Sequence, residues 1–155
     1  MLNDLLYRPW GVVINRAYWH TNGAVLEKIM QFTEDWFTHN IPNFEKCIGA
    51  LGEQRNRFLE IGTYEGRSTC WLIDQIKGEG DVFSIDPFTN MPEVEKRFMD
   101  NIREAVKGKK VITCHVKNTS YAGLARMIDL KNKFDFIYID GDHDPATTLA
   151  DASMA

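Results

Sequence analysis

Cysteine is scarce and odd in number. Cys47, Cys70 and Cys114 are widely spaced along 155 residues, each inside an apolar pattern. This argues against a disulfide framework or a zinc site and predicts reduced core thiols of a cytoplasmic protein. No apolar run approaches ~18 residues, and the first ten, MLNDLLYRPW, have neither a basic start nor a sustained apolar stretch. Neither a signal peptide nor a membrane span is therefore expected. A basic block is also missing. Lys and Arg number 18 against 22 Asp and Glu, a net charge of −4, which argues against nonspecific nucleic-acid binding. Glycine and proline are not in excess, and there are no repeats, low-complexity stretches or linkers, so one domain over residues 1–155 is expected. What is present is ordinary for a globular protein, 44% hydrophobic and 26% charged, in a chain long enough for a sizeable core.

Two halves differ in texture. Residues 1–57 read as a helical N-terminal extension with no convincing strand. Leu26, Ile29, Met30, Thr33, Trp36 and Phe37 recur at helical spacing after Thr21-Asn22-Gly23, and Asn40 closes that helix. Pro42 then opens a shorter helix carrying Phe44, Cys47, Ile48 and Leu51. Residues 7–19 are aromatic-rich and without clean period, so they read as irregular; Tyr7, Trp10, Tyr18 and Trp19 suit a packing surface better than a lid. From residue 58 short apolar runs alternate with helical ones. Strands are expected at 58–61, 82–85, 111–116 and 134–139, and helices near 66–77, 92–106, 120–130 and from Pro145. Such alternation predicts an α/β fold, a doubly wound, mostly parallel Rossmann-like sheet.

In an open parallel sheet, ligands bind beyond the carboxyl ends of the strands, so polar residues there carry the functional information. The first expected strand ends Glu60-Ile61-Gly62-Thr63-Tyr64-Glu65-Gly66-Arg67-Ser68. Gly62 permits a tight turn, and Gly66 lets the next helix start close to a ligand with its N–H groups exposed. The alternative is a plain glycine-bearing connection. The second strand ends in Asp86-Pro87-Phe88, an acid where a nucleoside-binding sheet accepts hydrogen bonds from ribose hydroxyls; alone, Asp86 also reads as a turn residue before proline. The fourth ends Ile139-Asp140-Gly141-Asp142-His143-Asp144-Pro145. Asp144-Pro145 suits an N-cap and first helical position. Asp140 can offer oxygen to a divalent cation and His143 can serve as a general base, against the alternative of a solvated polar turn. Asp135, earlier in the strand, reads as structural.

Residues 58–68, 82–88 and 134–143 resemble the first, second and fourth motifs of class I S-adenosylmethionine-dependent methyltransferases. They are most similar to the small-molecule O-methyltransferases of caffeoyl-CoA type and macrolide or cephalosporin type. The resemblance covers about residues 55–155. It implies that Glu60, Gly62, Gly66 and Ser68, with Thr63 and Tyr64 of the same turn, line the methionine and ribose side of S-adenosylmethionine (or S-adenosylhomocysteine), and that Asp86 holds the ribose diol. Thr119 and Ser120 stand where the family contacts adenine, Thr119 replacing the usual acid. Asp140 matches both a cofactor-side position and the first metal-binding aspartate of members that use Mg2+ or another divalent cation. His143 matches a position near the reacting centre. The implied reaction is methyl transfer to a small-molecule acceptor, at a hydroxyl oxygen.

The family's sheet has further strands beyond those expected here, and the chain ends at Ala155 within an expected helix that shows no stop signal. An incomplete polypeptide is therefore expected. The strand at 134–139 would then be an edge offering unpaired backbone, and association of two copies through it is expected. Two other functions stay open. A NAD-dependent oxidoreductase also wants an acid after the second strand, although it would want a glycine where Thr63 or Tyr64 stands. A non-catalytic S-adenosylmethionine- or nucleotide-binding module would keep the sheet without turnover.

Overall fold

Before residue 30 the chain forms two antiparallel pairs, β1 (Leu6–Tyr7) with β2 (Val13–Ile14) and β3 (Arg16–Thr21) with β4 (Ala24–Ile29). The structure, a computed structural model, describes residues 6–7, 13–14, 16–21, 24–52 and 55–155, and up to Ile29 it describes backbone alone. Strands thus stand where sequence periodicity predicts irregular chain over 7–19 and a helix over 26–37. A stronger local signal is the Asn-Gly dipeptide between the paired Thr21 and Ala24, flanked by the strand formers Tyr18, Trp19, Thr21 and Val25. Asn22, Gly23 and Trp10 lie outside the described residues, as do the side chains of Tyr7, Tyr18 and Trp19. A 3-10 turn, Thr38–Asn40, then leads into α1 (Ile41–Gly49), with Pro42 in its first turn as expected.

From residue 56 strand and helix alternate as the sequence predicts. The order is β5 (Asn56–Ile61), α2 (Arg67–Gln75), β6 (Glu79–Ile85), α3 (Pro92–Ala105), β7 (Lys110–Val116), α4 (Ser120–Asp129), β8 (Phe136–Ile139) and α5 (Pro145–Met154). The four strands are all parallel in the order β7-β6-β5-β8. Strand alternation sorts side chains between two helical layers. Phe58, Val82 and Phe136 pack toward α1, α2 and α3 with Trp71 and Phe98. Leu59, Ile61, Ile85 and Ile137 pack toward α4 and α5 with Leu124. α1 is docked by aromatic rings, Phe44 lying edge-on to Tyr138 at 4.8 Å and to Phe136 at 5.4 Å. The core holds only one of the three cysteines. Cys70 is buried, whereas Cys47 on α1 and Cys114 on β7 are exposed. Cys114 shares with Ile112 the face of an edge strand on which only Val116 packs into the core. Asp135 is structural, as expected: its Oδ2 accepts from Arg57 N at 2.8 Å while its own N donates to Arg57 O at 2.8 Å, pinning the entry to β8.

The register aligns the strand ends. Ile61 pairs with Ile85 and Ile139, and Ile85 with Val116, so Gly62, Asp86 and Asp140 leave the sheet side by side. The approach is close. Asp140 N donates to Ile61 O at 2.7 Å, and a Cβ on Gly62 would stand 2.2 Å from the Asp140 carbonyl oxygen. Gly62 also has φ of +81°, which an L side chain rarely adopts.

Two residues before Gly62, Glu60 is fully buried on β5, and the hydroxyls of Ser68 and Thr69 at the start of α2 donate to its two oxygens. Burial pushes its carboxyl up to about 8. The two hydrogen bonds oppose the rise, and the negative charges of Asp140 and Asp86 add to it.

Two outcomes are expected. Gly62→Ala forces a clash with backbone and a strained φ, and should lower unfolding stability by at least about 3 kcal/mol; a loss below about 1 kcal/mol in denaturant titration would contradict the close approach. For Glu60 the folded acid keeps its proton up to about 8 while the unfolded one releases it near 4.5. Stability should therefore fall as pH rises through that window, by up to about 1.4 kcal/mol per pH unit, and level off outside it. Glu60→Gln should remove this slope; equal slopes in wild type and variant would show that the buried carboxyl is ionised throughout.

Candidate functional site

The residues between β5 and α2 form a turn with three left-handed positions in alternation, Gly62 at φ +81°, Tyr64 at +47° and Gly66 at +79°. This conformation points successive backbone N–H groups to one side, an arrangement that gathers an anion. The anion is Asp86. Its Oδ2 accepts from Thr63 N at 2.8 Å and Tyr64 N at 3.1 Å, and its Oδ1 from Phe88 N at 2.8 Å. One carboxylate therefore joins the turn after β5 to the turn after β6, and Oδ1 keeps acceptor capacity beyond its single donor. Gly66 is the N-cap of α2, and a Cβ there would meet the Phe98 ring at 2.8 Å.

Beyond these turns opens a cleft of about 950 Å³, within the range of roughly 300–1,000 Å³ that suits small-molecule sites. Most residues singled out from the sequence meet there. Gly62, Thr63, Tyr64 and Ser68 form one side with Asp86; Thr119 and Ser120 at the start of α4 form another; Asp140 and His143 form a third. Glu60 and Gly66 do not line it. Glu60 lies beneath the turn and holds α2 to β5, and Gly66 faces α3. Thr119 caps α4 by accepting from Ala122 N at 3.4 Å.

The turn after β8 divides its acids by task. Asp144 is the N-cap of α5, accepting from Thr147 N at 3.0 Å, with Pro145 in the first turn as expected. Asp142 Oδ1 accepts from Asp144 N at 3.0 Å, which shapes the turn. Asp140 and His143 are exposed to the cleft. The Asp140 carboxylate also reaches Tyr138, whose hydroxyl is pushed up from its ordinary range by burial first and by the hydrogen bond and charge of Asp140 next. A divalent cation wants about six oxygen ligands. Among the described residues no three His, Cys, Asp or Glu side chains converge to hold one, so Asp140 does not by itself make a metal site.

Sequence motifs miss the wall contributed by residues 32–40. Phe32, Trp36, His39 and Asn40 line the cleft, as does Arg67 from α2. Arg67 stacks over Phe32 at 4.5 Å, its Nε donates to Glu34 O at 3.1 Å, and burial lowers its pKa despite the nearby Asp35 and Glu65. Trp36 is 61% exposed, with its ring centroid 5.0 Å from that of Tyr64. Helical spacing assigns Trp36 to the buried face of an expected helix, which hides its place in this wall. Phe88 forms the floor near Asp86. It packs at 5.2 Å against His115, a half-buried imidazole whose pKa is lowered by burial and whose Nδ1 lies 3.0 Å from Ser84 Oγ.

The family model described as "Methyltransferase domain" matches residues 59–155. No curated protein matches the chain. Among solved structures, an O-methyltransferase from Bacillus cereus in complex with S-adenosylhomocysteine superposes with TM-score 0.58 at 22% identity, covering 78% of this chain and 53% of that one. A Klebsiella pneumoniae protein described as a candidate O-methyltransferase gives TM-score 0.53 at 21% identity, covering 72% and 47%. The chain spans about half the length of the solved structures it matches. These likenesses show the doubly wound α/β fold, and the matched family model covers most of the chain: it belongs to the methyltransferase domain family.

Proposed function

We propose that this chain binds S-adenosylmethionine in the cleft at the strand ends, as one cytoplasmic domain, and that the protein methylates a hydroxyl oxygen of a small-molecule acceptor. The observation that carries the reading is the glycine turn organised by Asp86 beside a cleft of about 950 Å³. The donor set fits the cofactor. Gly62, Thr63 and Tyr64 present backbone to the methionine end with Ser68 behind them. The spare acceptor capacity of Asp86 Oδ1 suits a ribose hydroxyl, and Thr119 with Ser120 borders the adenine end. The carboxylates of Asp86, Asp140 and Asp142 favour a cationic ligand in the cleft.

When bound, S-adenosylmethionine supplies a methyl group already activated by its sulfonium, so the protein's task is mainly orientation and removal of a proton. His143 is the imidazole suited to take the acceptor's hydroxyl proton, and Asp140 beside it orients the acceptor. Glu60 supports the turn from below. The O-methyltransferase in complex with S-adenosylhomocysteine that shares the fold supports the choice of cofactor. The oxygen acceptor rests on the resemblance of the motifs. The exposed edge of β8 is proposed to pair with a second copy of the chain. The same cleft also admits a second reading, a binding module without turnover.

Parallel thermal-shift titrations with S-adenosylhomocysteine and NAD test the cofactor. Ligand at 100 times its dissociation constant should add about 2.7 kcal/mol, and a response to NAD alone would remove the reading. Binding without methyl transfer to any catechol, phenol or sugar would favour the module. Asp86→Asn should weaken S-adenosylhomocysteine binding and destabilise the fold by about 1–3 kcal/mol, because whichever way the amide turns, its NH2 meets a backbone N–H. Light scattering on a size-exclusion column should show a dimer at high concentration; a clean monomer there would dismiss the edge pairing.

A further inference from the structure

We propose that Thr33, Arg97 and Asn101 are positioning residues for the cofactor site. Through Glu65 they clamp residues 31–36 onto the glycine turn and so set the place of the Trp36–Tyr64 wall. The inference rests on the methyltransferase reading above and assigns a role to residues outside its motifs.

Glu65 sits inside the turn, between Tyr64 and Gly66, yet only 1% of it is exposed and its side chain reaches α3. A carboxylate buried this deeply must be met by donors. Its Oε1 accepts from Arg97 Nε at 2.6 Å and from Thr33 Oγ1 at 2.8 Å, and its Oε2 accepts from Thr33 N. Asn101, one helical turn beyond Arg97 and also buried, completes the grip. Its Nδ2 donates to Glu65 O at 2.8 Å and to Gln31 O at 2.8 Å, while its Oδ1 accepts from Gln31 N at 2.8 Å. Both polar groups of the Gln31 backbone are thereby held by one side chain on α3. Arg67 adds a contact on the other side, over the Phe32 ring and onto the Glu34 carbonyl.

Gln31, Phe32, Thr33 and Glu34 are thus each held by the turn, by α2 or by α3. The held stretch leads directly to Trp36 in the cleft. The same clamp acts on the turn from behind. Glu65 directly follows Tyr64, whose N–H and that of Thr63 bind Asp86, so a displaced Glu65 moves the N–H groups that organise the ribose-side acid. Displacements of ~1 Å in such a site are enough to change binding and rate strongly.

The test compares wild type with Thr33→Val, Arg97→Met and the conservative Thr33→Ser, in the full chain. Hydrogen exchange is followed in peptides covering 31–40 and 62–67, and affinity for S-adenosylhomocysteine is measured by titration calorimetry. Thr33→Val and Arg97→Met should speed exchange in both peptides and weaken binding about tenfold, the effect that one hydrogen bond to a charged group can have. Thr33→Ser should restore both, which a general packing defect would not allow. Should Arg97→Met fail to fold, Thr33→Val carries the comparison, since it removes a single hydroxyl. Binding by Thr33→Val within twofold of wild type, or a loss in Thr33→Ser as large as in Thr33→Val, would overturn the clamp while leaving the cofactor reading intact. A wild-type protein that does not bind S-adenosylhomocysteine would overturn the cofactor reading itself.

Discussion

The carboxylate of Asp86 is the interaction on which the site depends. It accepts backbone N–H groups from Thr63 and Tyr64 on one side and from Phe88 on the other. A turn with three left-handed residues turns its N–H groups inward, and groups left without partners there would cost about 1–3 kcal/mol each. Asp86 satisfies them and at the same time joins two strand ends that the sheet register has already brought level. Tyr64 shows how firmly the arrangement is held. A non-glycine residue at φ +47° is uncommon, and its N–H bond to Asp86 and ring contact with Trp36 oppose the conformational penalty.

Three acids within or beside this turn have different fates because they stand on different faces. Glu60 points from β5 into the layer of α2, where burial, against the pull of two hydroxyl hydrogen bonds, leaves it neutral near physiological pH. Glu65 turns toward α3 and meets Arg97, Thr33 and no solvent. Asp86 points along the strand ends and meets backbone. Both Glu65 and Asp86 border the cleft, but the Glu65 oxygens are taken up by Thr33 and Arg97. The glycines are required for a related reason: Gly62 and Gly66 admit the backbone of Asp140 and the ring of Phe98 at distances that leave no room for a Cβ.

Much of this was readable in the sequence where the signal is local or periodic. The four parallel strands and their helices follow from apolar runs separated by helical spacing, Asp144-Pro145 has the cap role its neighbours suggest, and Asp135 is structural as its place in the strand suggests. Residues 16–29 pair as strands despite apolar residues at helical spacing over 26–37, because strand pairing is settled by the partner strand and the Asn-Gly connection favours it, whereas the helix opened by Pro42 forms as its sequence predicts. The cysteines illustrate the same limit. An apolar neighbourhood in sequence buries Cys70 in α2 but leaves Cys114 in view, since β7 is an edge.

By itself the sequence determined the alternation that makes a doubly wound sheet, the glycine turn, and the acids placed just after the strands, since these depend on residue type and short spacing. Only the tertiary structure decided which of those acids reach the cleft. Glu60 is drawn beneath the turn by α2, and Glu65 borders the cleft but is buried against α3, whereas Asp86 and Asp140 stay open to it, because the direction of a side chain is set by strand alternation and by the helices packed against it. The wall of Phe32 and Trp36, more than 20 residues before the glycine turn in sequence, likewise rests on contacts of residues 31–36 with Tyr64, Glu65, Arg67 and Asn101 that span about 30 to 70 positions and that no local pattern can announce.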